Sequence, residues 1–221
     1  MKKRLFSIVY MFFLTLVCTG ALAALEMGTR ERVALNATAR LQRVILEVLA
    51  LPVPADYSPR QVSGLFDNRV RETSLEGQRV FVGFDADGKT PIGFAFAATG
   101  PGFWGPIYGM VGISPDGERL IGLNFYEHNE TPGLGGRITE DAFKMQFAGM
   151  PLEGAGGIFF SFGDIDNRPG VFEADAITGA TETSVRVEKF LNRELALFVD
   201  KLRSNRLKIV NAALNQGGDK P

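Results

Sequence analysis

One cysteine, one histidine and a net charge close to zero set the first limits on this 221-residue chain. Cys18 has no second thiol to pair with, so no internal disulfide can form. His128 alone cannot build a multi-histidine metal site or a pair of acid–base histidines. Thiol catalysis and most zinc enzymes are thereby excluded, and neither a metal site nor a catalytic side chain is expected. Twenty-four Lys and Arg against 25 Asp and Glu give a formal charge of −1, which offers no basic surplus for nucleic acid. Internal repeats and low-complexity linkers are also missing. What is plentiful is Gly (26), Pro (11) and Phe (18), the composition of a turn-rich, partly β domain with a bulky core. At 45% hydrophobic, the chain can bury the core of one domain of ordinary size.

The longest uncharged stretch is at the N-terminus. Lys2, Lys3 and Arg4 precede an apolar run from Leu5 to Leu25. That run has about the ~20 residues needed to cross a bilayer as a helix. The basic residues should stay cytoplasmic, placing the body of the protein on the other side. Ala21-Leu22-Ala23 followed by Ala24 also resembles a signal-peptidase site, so the segment alone leaves cleavage and retention open. Either outcome exports the domain. Bulky Val17 argues against lipidation of Cys18.

Beyond the apolar run, Val33, Leu35, Leu41, Val44, Ile45, Val48 and Leu49 predict a helix over Arg30 to Leu51, ended by Pro52 and Pro54. Two hairpins follow. RVFVGFDADGKTPIGFAFAA turns at Asp87-Gly88 and YGMVGISPDGERLIGLNFYE at Asp116-Gly117, and an Asp-Gly turn between alternating strands is a strong hairpin signal. The first turn lacks the remaining ligands and closing Glu of a calcium loop. Between the hairpins lies GPGFWGPIYG, an open loop around Phe103, Trp104 and Tyr108. A short helix is predicted from about Thr139, a strand over Ile158 to Phe162, and a long amphipathic helix from about Ser184 to Val210. The pattern is α+β: an antiparallel sheet built from hairpins, flanked by helices, on an N-terminal transmembrane helix. The expected divisions are an anchor (1–25), a helical stalk (26–55), a folded domain (56–212) and a disordered tail (213–221).

Two loops concentrate polar and flexible residues. His128-Asn129-Glu130-Thr131-Pro132-Gly133-Leu134-Gly135-Gly136 has glycines that let a ligand approach main-chain N–H groups closely. Each residue taken singly fits an ordinary turn; their density favours a binding loop. Asp175-Ala176-Ile177-Thr178-Gly179-Ala180-Thr181 lies at the entry to the last helix, where free N–H groups and the dipole favour an anion. A hydroxyl there can cap the helix or carry a phosphate ester, and composition does not separate the two.

Together these segments carry a resemblance. Residues 175–181 match the Asp-x-x-Ser/Thr-Gly-Ala-Thr signature at which flavin transferases attach FMN, and residues 128–135 match the His-x-Glu-Thr-Pro-Gly-Leu-Gly loop of the same family. The chain resembles the FMN-binding domain family of RnfG and NqrC, membrane-anchored subunits of the Rnf electron transport complex and the sodium-pumping NADH:quinone reductase. NFYEHNETPGLGG is nearer the NqrC branch and the compact length nearer RnfG; a free-standing relative stays open. The resemblance implies FMN bound covalently through its phosphate to Thr181, donated from FAD by a separate magnesium-dependent flavin transferase. Thr178, Gly179 and Ala180 would shape the attachment turn, and Asp175 would complete the transferase signature with these three and Thr181. Glu130, Thr131, Leu134 and Gly135 would border the flavin, and His128, Trp104 or Tyr108 would reach its ring. The implied protein is a single-pass inner-membrane electron carrier with its domain on the periplasmic side, one of several membrane subunits and not a complete enzyme. The competing readings are a cofactor-free exported ligand-binding or scaffold domain, with a helix cap and a turn in place of the two motifs, and a free-standing flavin reductase.

Overall fold

A computed structural model describes residues 2–163 and 170–217. Two compact units divide at Arg40 and Leu41. In the first, the N-terminal helix is exposed at every residue from Phe6 to Thr38. Its most apolar window has a mean hydropathy of 2.2, and none of that window is buried by protein. By length and composition this helix can cross a membrane. The helix predicted from Arg30 is no separate element: one helix, α1, runs over Lys2–Val48. No proline or glycine cluster interrupts the chain between the apolar run and the predicted stalk, so nothing stops the ladder of hydrogen bonds.

The second unit holds the remaining elements. Helix α2 (Pro59–Arg69), not foreseen in the sequence, starts at a capping box. The Gln61 N–H donates to Ser58 Oγ at 3.4 Å, the Ser58 N–H donates to Gln61 Oε1 at 2.9 Å, and Pro59 opens the helix where its missing N–H does no harm. Strands β1 (Val70–Leu75), β2 (Gln78–Phe84), β3 (Pro91–Pro101), β4 (Pro106–Ile113) and β5 (Leu120–Glu127) form an antiparallel meander in chain order. Both predicted hairpins are present, as β2–β3 and β4–β5. In the first turn Asp87 Oδ1 accepts the N–H groups of Lys89 (2.8 Å) and Thr90 (2.9 Å), which is the turn chemistry expected of an Asp-Gly hairpin. After β5 come a 3₁₀ turn (Gly135–Thr139), helix α3 (Asp141–Met145), a parallel pair β6 (Phe160–Phe162) and β7 (Phe172–Ala174), and helix α4 (Thr181–Gly217).

One face of the sheet packs on α4. Val80, Val82, Phe84, Phe94, Phe96, Val111 and Ile113 are buried with Val187, Phe190, Leu191, Leu195, Phe198 and Leu202 of that helix. Each fully buried side chain of this size is worth about 1.5–3 kcal/mol. Phe96 and Phe198 stack with ring centroids 3.9 Å apart. The other face meets the end of α1, and closeness there depends on missing side chains. A Cβ at Gly122 would lie 2.6 Å from the Val48 backbone, and one at Gly83 3.1 Å from Leu49 Cδ1. Gly83 pairs with Gly93 and Gly112 with Gly122 across the strands, so these glycines form a shallow row under Val48 and Leu49.

Asn192 of α4 ties the small sheet to the helix. Its Oδ1 accepts the Phe159 (2.7 Å) and Phe160 (3.2 Å) N–H groups, and its Nδ2 donates to Phe160 O at 2.8 Å. Helix α4 begins three residues earlier than predicted and runs on to Gly217, with Ala213 fully buried. Residues 213–217 of the expected tail are therefore helical; residues 218–221 lie outside the described residues.

Candidate functional site

The site is built around one carboxylate. Glu130 is 4% exposed and follows β5 in the His128–Gly136 loop. Its Oε1 accepts the backbone N–H groups of Phe103 (2.8 Å) and Trp104 (3.0 Å), and its Oε2 accepts the Thr183 hydroxyl at 2.6 Å. A single buried side chain thus joins the β3–β4 loop, the loop after β5 and the first turn of α4. Charged acceptors make the stronger class of hydrogen bond, which suits a carboxylate denied water. Glycine makes room for it. A Cβ at Gly102 would fall 2.5 Å from Glu130 Oε1, and one at Gly135 would fall 2.5 Å from Thr183 Oγ1 and 2.7 Å from Glu130 Oε2.

Beside this joint opens a cavity of about 390 Å³ lined by Phe103, Trp104, Thr131, Leu134, Ala180 and Thr181 among others. That volume lies in the range of small-molecule and cofactor sites, roughly 300–1,000 Å³. Phe103 and Trp104 meet edge to face, with centroids 5.0 Å apart, and the Trp104 Nε1–H donates to Thr131 Oγ1 at 3.1 Å. Trp104 (66%), Phe103 (47%) and Leu134 (45%) are nonetheless exposed, leaving an apolar wall facing outward.

The first turn of α4 sorts its hydroxyls. Ser184 Oγ accepts the Ile177 N–H at 3.1 Å and donates to Ala180 O at 3.1 Å, closing the turn from inside. Thr183 is committed to Glu130. Gly179, at φ +80°, supplies the left-handed step before the helix. Thr181, the first helical residue, is exposed and its hydroxyl makes no hydrogen bond among the described residues. The capping role that the sequence left open for Thr181 thus falls to Ser184.

Of the sequence-predicted residues, Trp104, Glu130, Thr131, Leu134, Gly135, Gly179, Ala180 and Thr181 meet at the cavity. His128, Tyr108, Thr178 and Asp175 are not in its lining. His128 Nδ1 accepts the Glu130 N–H at 3.1 Å, so the imidazole orders the loop that carries the carboxylate. Tyr108 sits on β4 with its ring 6.3 Å from that of Tyr126. Asp175 and Thr178 line a separate groove with Arg137, Glu140 and Gln146. Sequence reasoning passed over Thr183 and Arg186. The Arg186 guanidinium lies 6.0 Å from the Phe103 ring centroid and 3.9 Å from Glu182, with its Nε buried and unpartnered among the described residues. Only the hydroxyl two places beyond the motif hinted at Thr183.

The residues fit FMN. Aromatic and aliphatic walls suit a planar ring system, and an uncommitted hydroxyl at the N-terminus of a long helix suits a phosphate. Among the described residues no group of His, Cys, Asp and Glu could hold a metal ion.

Comparison with known proteins gives a matching picture. Residues 102–196 match the family model described as FMN-binding domain. The NqrC protein of the Na(+)-translocating NADH-quinone reductase of Chlamydia pneumoniae is 28% identical over 162 residues, 66% of this chain and 49% of that protein. Its counterpart in Neisseria meningitidis is 38% identical over 90 residues, 40% of this chain and 35% of that protein. The chain spans about half or less of the length of these curated relatives. The crystal structure of the corresponding protein from Parabacteroides distasonis superposes with a TM-score of 0.63 at 24% identity, covering 78% of this chain and 96% of that one. Shewanella oneidensis NqrC gives 0.58 at 21% identity, covering 74% and 99%. At those identities the two structures speak for the fold, an antiparallel five-stranded sheet with flanking helices.

Proposed function

The chain belongs to the FMN-binding domain family of RnfG and NqrC, and from that premise we propose that it is an electron carrier holding FMN by a phosphoester at Thr181. The observation that carries this reading is the Thr181 hydroxyl: exposed, uncommitted and at the rim of an aromatic-walled cavity. The FMN phosphate attached there lies at the start of α4, where free N–H groups and the helix dipole stabilise its charge. Transfer from FAD forms the Thr181 Oγ–phosphorus bond, breaks the phosphoanhydride and releases AMP, with the hydroxyl proton passing to a base of the flavin transferase.

The tether serves the compartment. The positive residues ahead of the apolar helix argue for a domain on the periplasmic side of the inner membrane, where free flavin is scarce. Covalent attachment replaces bulk concentration with an effective one, commonly ~mM for a short tether. When bound, FMN supplies the redox chemistry. The chain's own residues do the rest. Phe103, Trp104 and Leu134 shield the ring from water on one side. Glu130 fixes the three segments that carry those groups. The outward-facing aromatic wall leaves electrons a short path to neighbouring membrane proteins, as a relay within an ion-translocating redox complex requires.

The test is intact mass and peptide mapping of the full chain co-expressed with a flavin transferase. One FMN-sized adduct on the Thr181 peptide, absent in Thr181→Val, is the expected result. An unmodified Thr181 beside a demonstrably active transferase would sink the proposal. Because its hydroxyl has no partner, Thr181→Val should change stability by no more than about 0.5 kcal/mol, so loss of the adduct cannot be blamed on unfolding.

A further inference from the structure

The attachment motif does not face one way. Gly179, Ala180 and Thr181 line the cofactor cavity, whereas Asp175, Ala176, Ile177 and Thr178 line a second concavity of about 240 Å³, bounded by Arg137, Glu140 and Gln146. The Asp175 carboxylate and Thr178 hydroxyl are exposed and make no hydrogen bond among the described residues. The backbone that presents them is held firmly. The Asp175 N–H donates to Gln146 Oε1 at 2.7 Å, and Gln146 Nε2 donates to Asp175 O at 3.2 Å. This paired bond copies the way one strand grips another, and it continues the line of β7, which ends one residue earlier at Ala174. Gln146 lies 29 residues from Asp175 in the chain, outside any attachment signature. On the opposite wall Arg137 and Glu140 form an ion pair at 3.1 Å.

Side chains that an attached FMN does not need, held out to solvent by a dedicated clamp, are placed to be read by something else. Resting on the proposed attachment at Thr181, we infer that this groove is the surface on which the flavin transferase docks, with Gln146 the positioning residue that presents Asp175. The enzyme reads the rear of the turn through Asp175, Thr178 and the Arg137–Glu140 pair, and so leaves the front free for Thr181 to meet the FAD phosphoanhydride. Recognition and attachment occupy opposite sides of a seven-residue turn.

The test measures FMN incorporation into the full chain in detergent, with transferase, FAD and magnesium, as a function of acceptor-chain concentration. Losing two exposed hydrogen bonds in Gln146→Leu should raise the half-saturating concentration about five- to tenfold and leave the limiting rate unchanged. Amide exchange at Asp175 should accelerate in the same variant, which reports the clamp directly. Glu140→Lys, on the opposite wall and half-exposed, should raise half-saturation by a similar factor, and it decides the matter if Gln146→Leu fails to fold. Wild-type labelling kinetics in a folded Gln146→Leu whose Asp175 amide has been released would overturn the docking surface. So would a fall in limiting rate alone, which gives Gln146 a purely structural role. Absence of label on the wild-type chain is a different result: it overturns the attachment itself, and this surface with it.

Discussion

Replacing Glu130 with alanine removes the joint between three segments. Three donors lose their acceptor at once: the Phe103 and Trp104 N–H groups and the Thr183 hydroxyl, bonded at 2.8, 3.0 and 2.6 Å. Each buried donor left unpaired costs about 1–3 kcal/mol. The adjoining cavity admits water, which holds the sum near the low end, about 3–5 kcal/mol in total. Glu130→Gln separates charge from shape. Its amide oxygen still accepts both backbone N–H groups, and its NH₂ can donate to Thr183 once that hydroxyl turns round. The expected loss is then about 1–2 kcal/mol. For a domain of this size 1 kcal/mol moves the midpoint by roughly 2–4 °C, so alanine should melt about 10 °C lower and glutamine only a few degrees lower. The assay is thermal unfolding of the full chain in detergent, followed by the fluorescence of Trp104, the single tryptophan. Trp104 sits in the released loop, so its emission should shift red in Glu130→Ala before any melting. A midpoint within about 2 °C of wild type for Glu130→Ala, less than 1 kcal/mol on that scale, would refute the claim that this carboxylate organises the site.

Two further outcomes follow from local geometry. Gly135→Ala forces a Cβ to 2.5 Å from Thr183 Oγ1 and 2.7 Å from Glu130 Oε2, so it should cost about 1–3 kcal/mol. Thermal unfolding measures this, and a neutral result would show that the loop shifts freely. Hydrogen bonds from the Thr90 N–H, the Lys89 N–H and the Thr90 hydroxyl hold Asp87 at about 2, below its usual 3.8. A lowered pKa stabilises the folded turn above the unfolded value, and that support is lost as pH falls from about 3.8 through about 2. The Asp87 carboxyl resonance should therefore titrate near 2 with coincident loosening of the Lys89 and Thr90 amides; a midpoint near the usual 3.8 would contradict the turn's hydrogen bonding.

The parts of the fold that were legible are those encoded by neighbours. Both Asp-Gly hairpins are local, since the turn and its alternating strands lie within twenty residues of sequence. The face of α4 was read from its periodicity. Strand β1 escaped because VRETSL carries only Val70 and Leu75 as apolar anchors and pairs along one edge with β2. Helix α2 escaped because one side chain alone, Val62, is buried, so the apolar stripe that betrays a helix is missing. The start of α4 was misplaced by three residues because TGAT reads as a loop while Thr181 is already helical.

The site was half legible for a related reason. Its two motifs can be read as strings, but what makes them one site is Glu130, whose partners lie 26, 27 and 53 residues away. The hydroxyls of the attachment turn carry the same lesson at shorter range. Thr181, Thr183 and Ser184 are chemically similar and almost adjacent, so composition assigns them equal claims to a cap or an ester. A helix turns about 100° per residue, so Thr183 and Ser184 leave Thr181 by roughly 200° and 300°. Those angles aim Thr183 at the buried carboxylate and Ser184 back at the Ile177 N–H, and leave Thr181 without a protein partner among the described residues. Each inward hydroxyl therefore does the structural work that would otherwise fall to Thr181. The freedom of the attachment residue is a product of its neighbours' commitments, and a double replacement of Thr183 and Ser184 would draw Thr181 into the fold before it weakened the motif as a string.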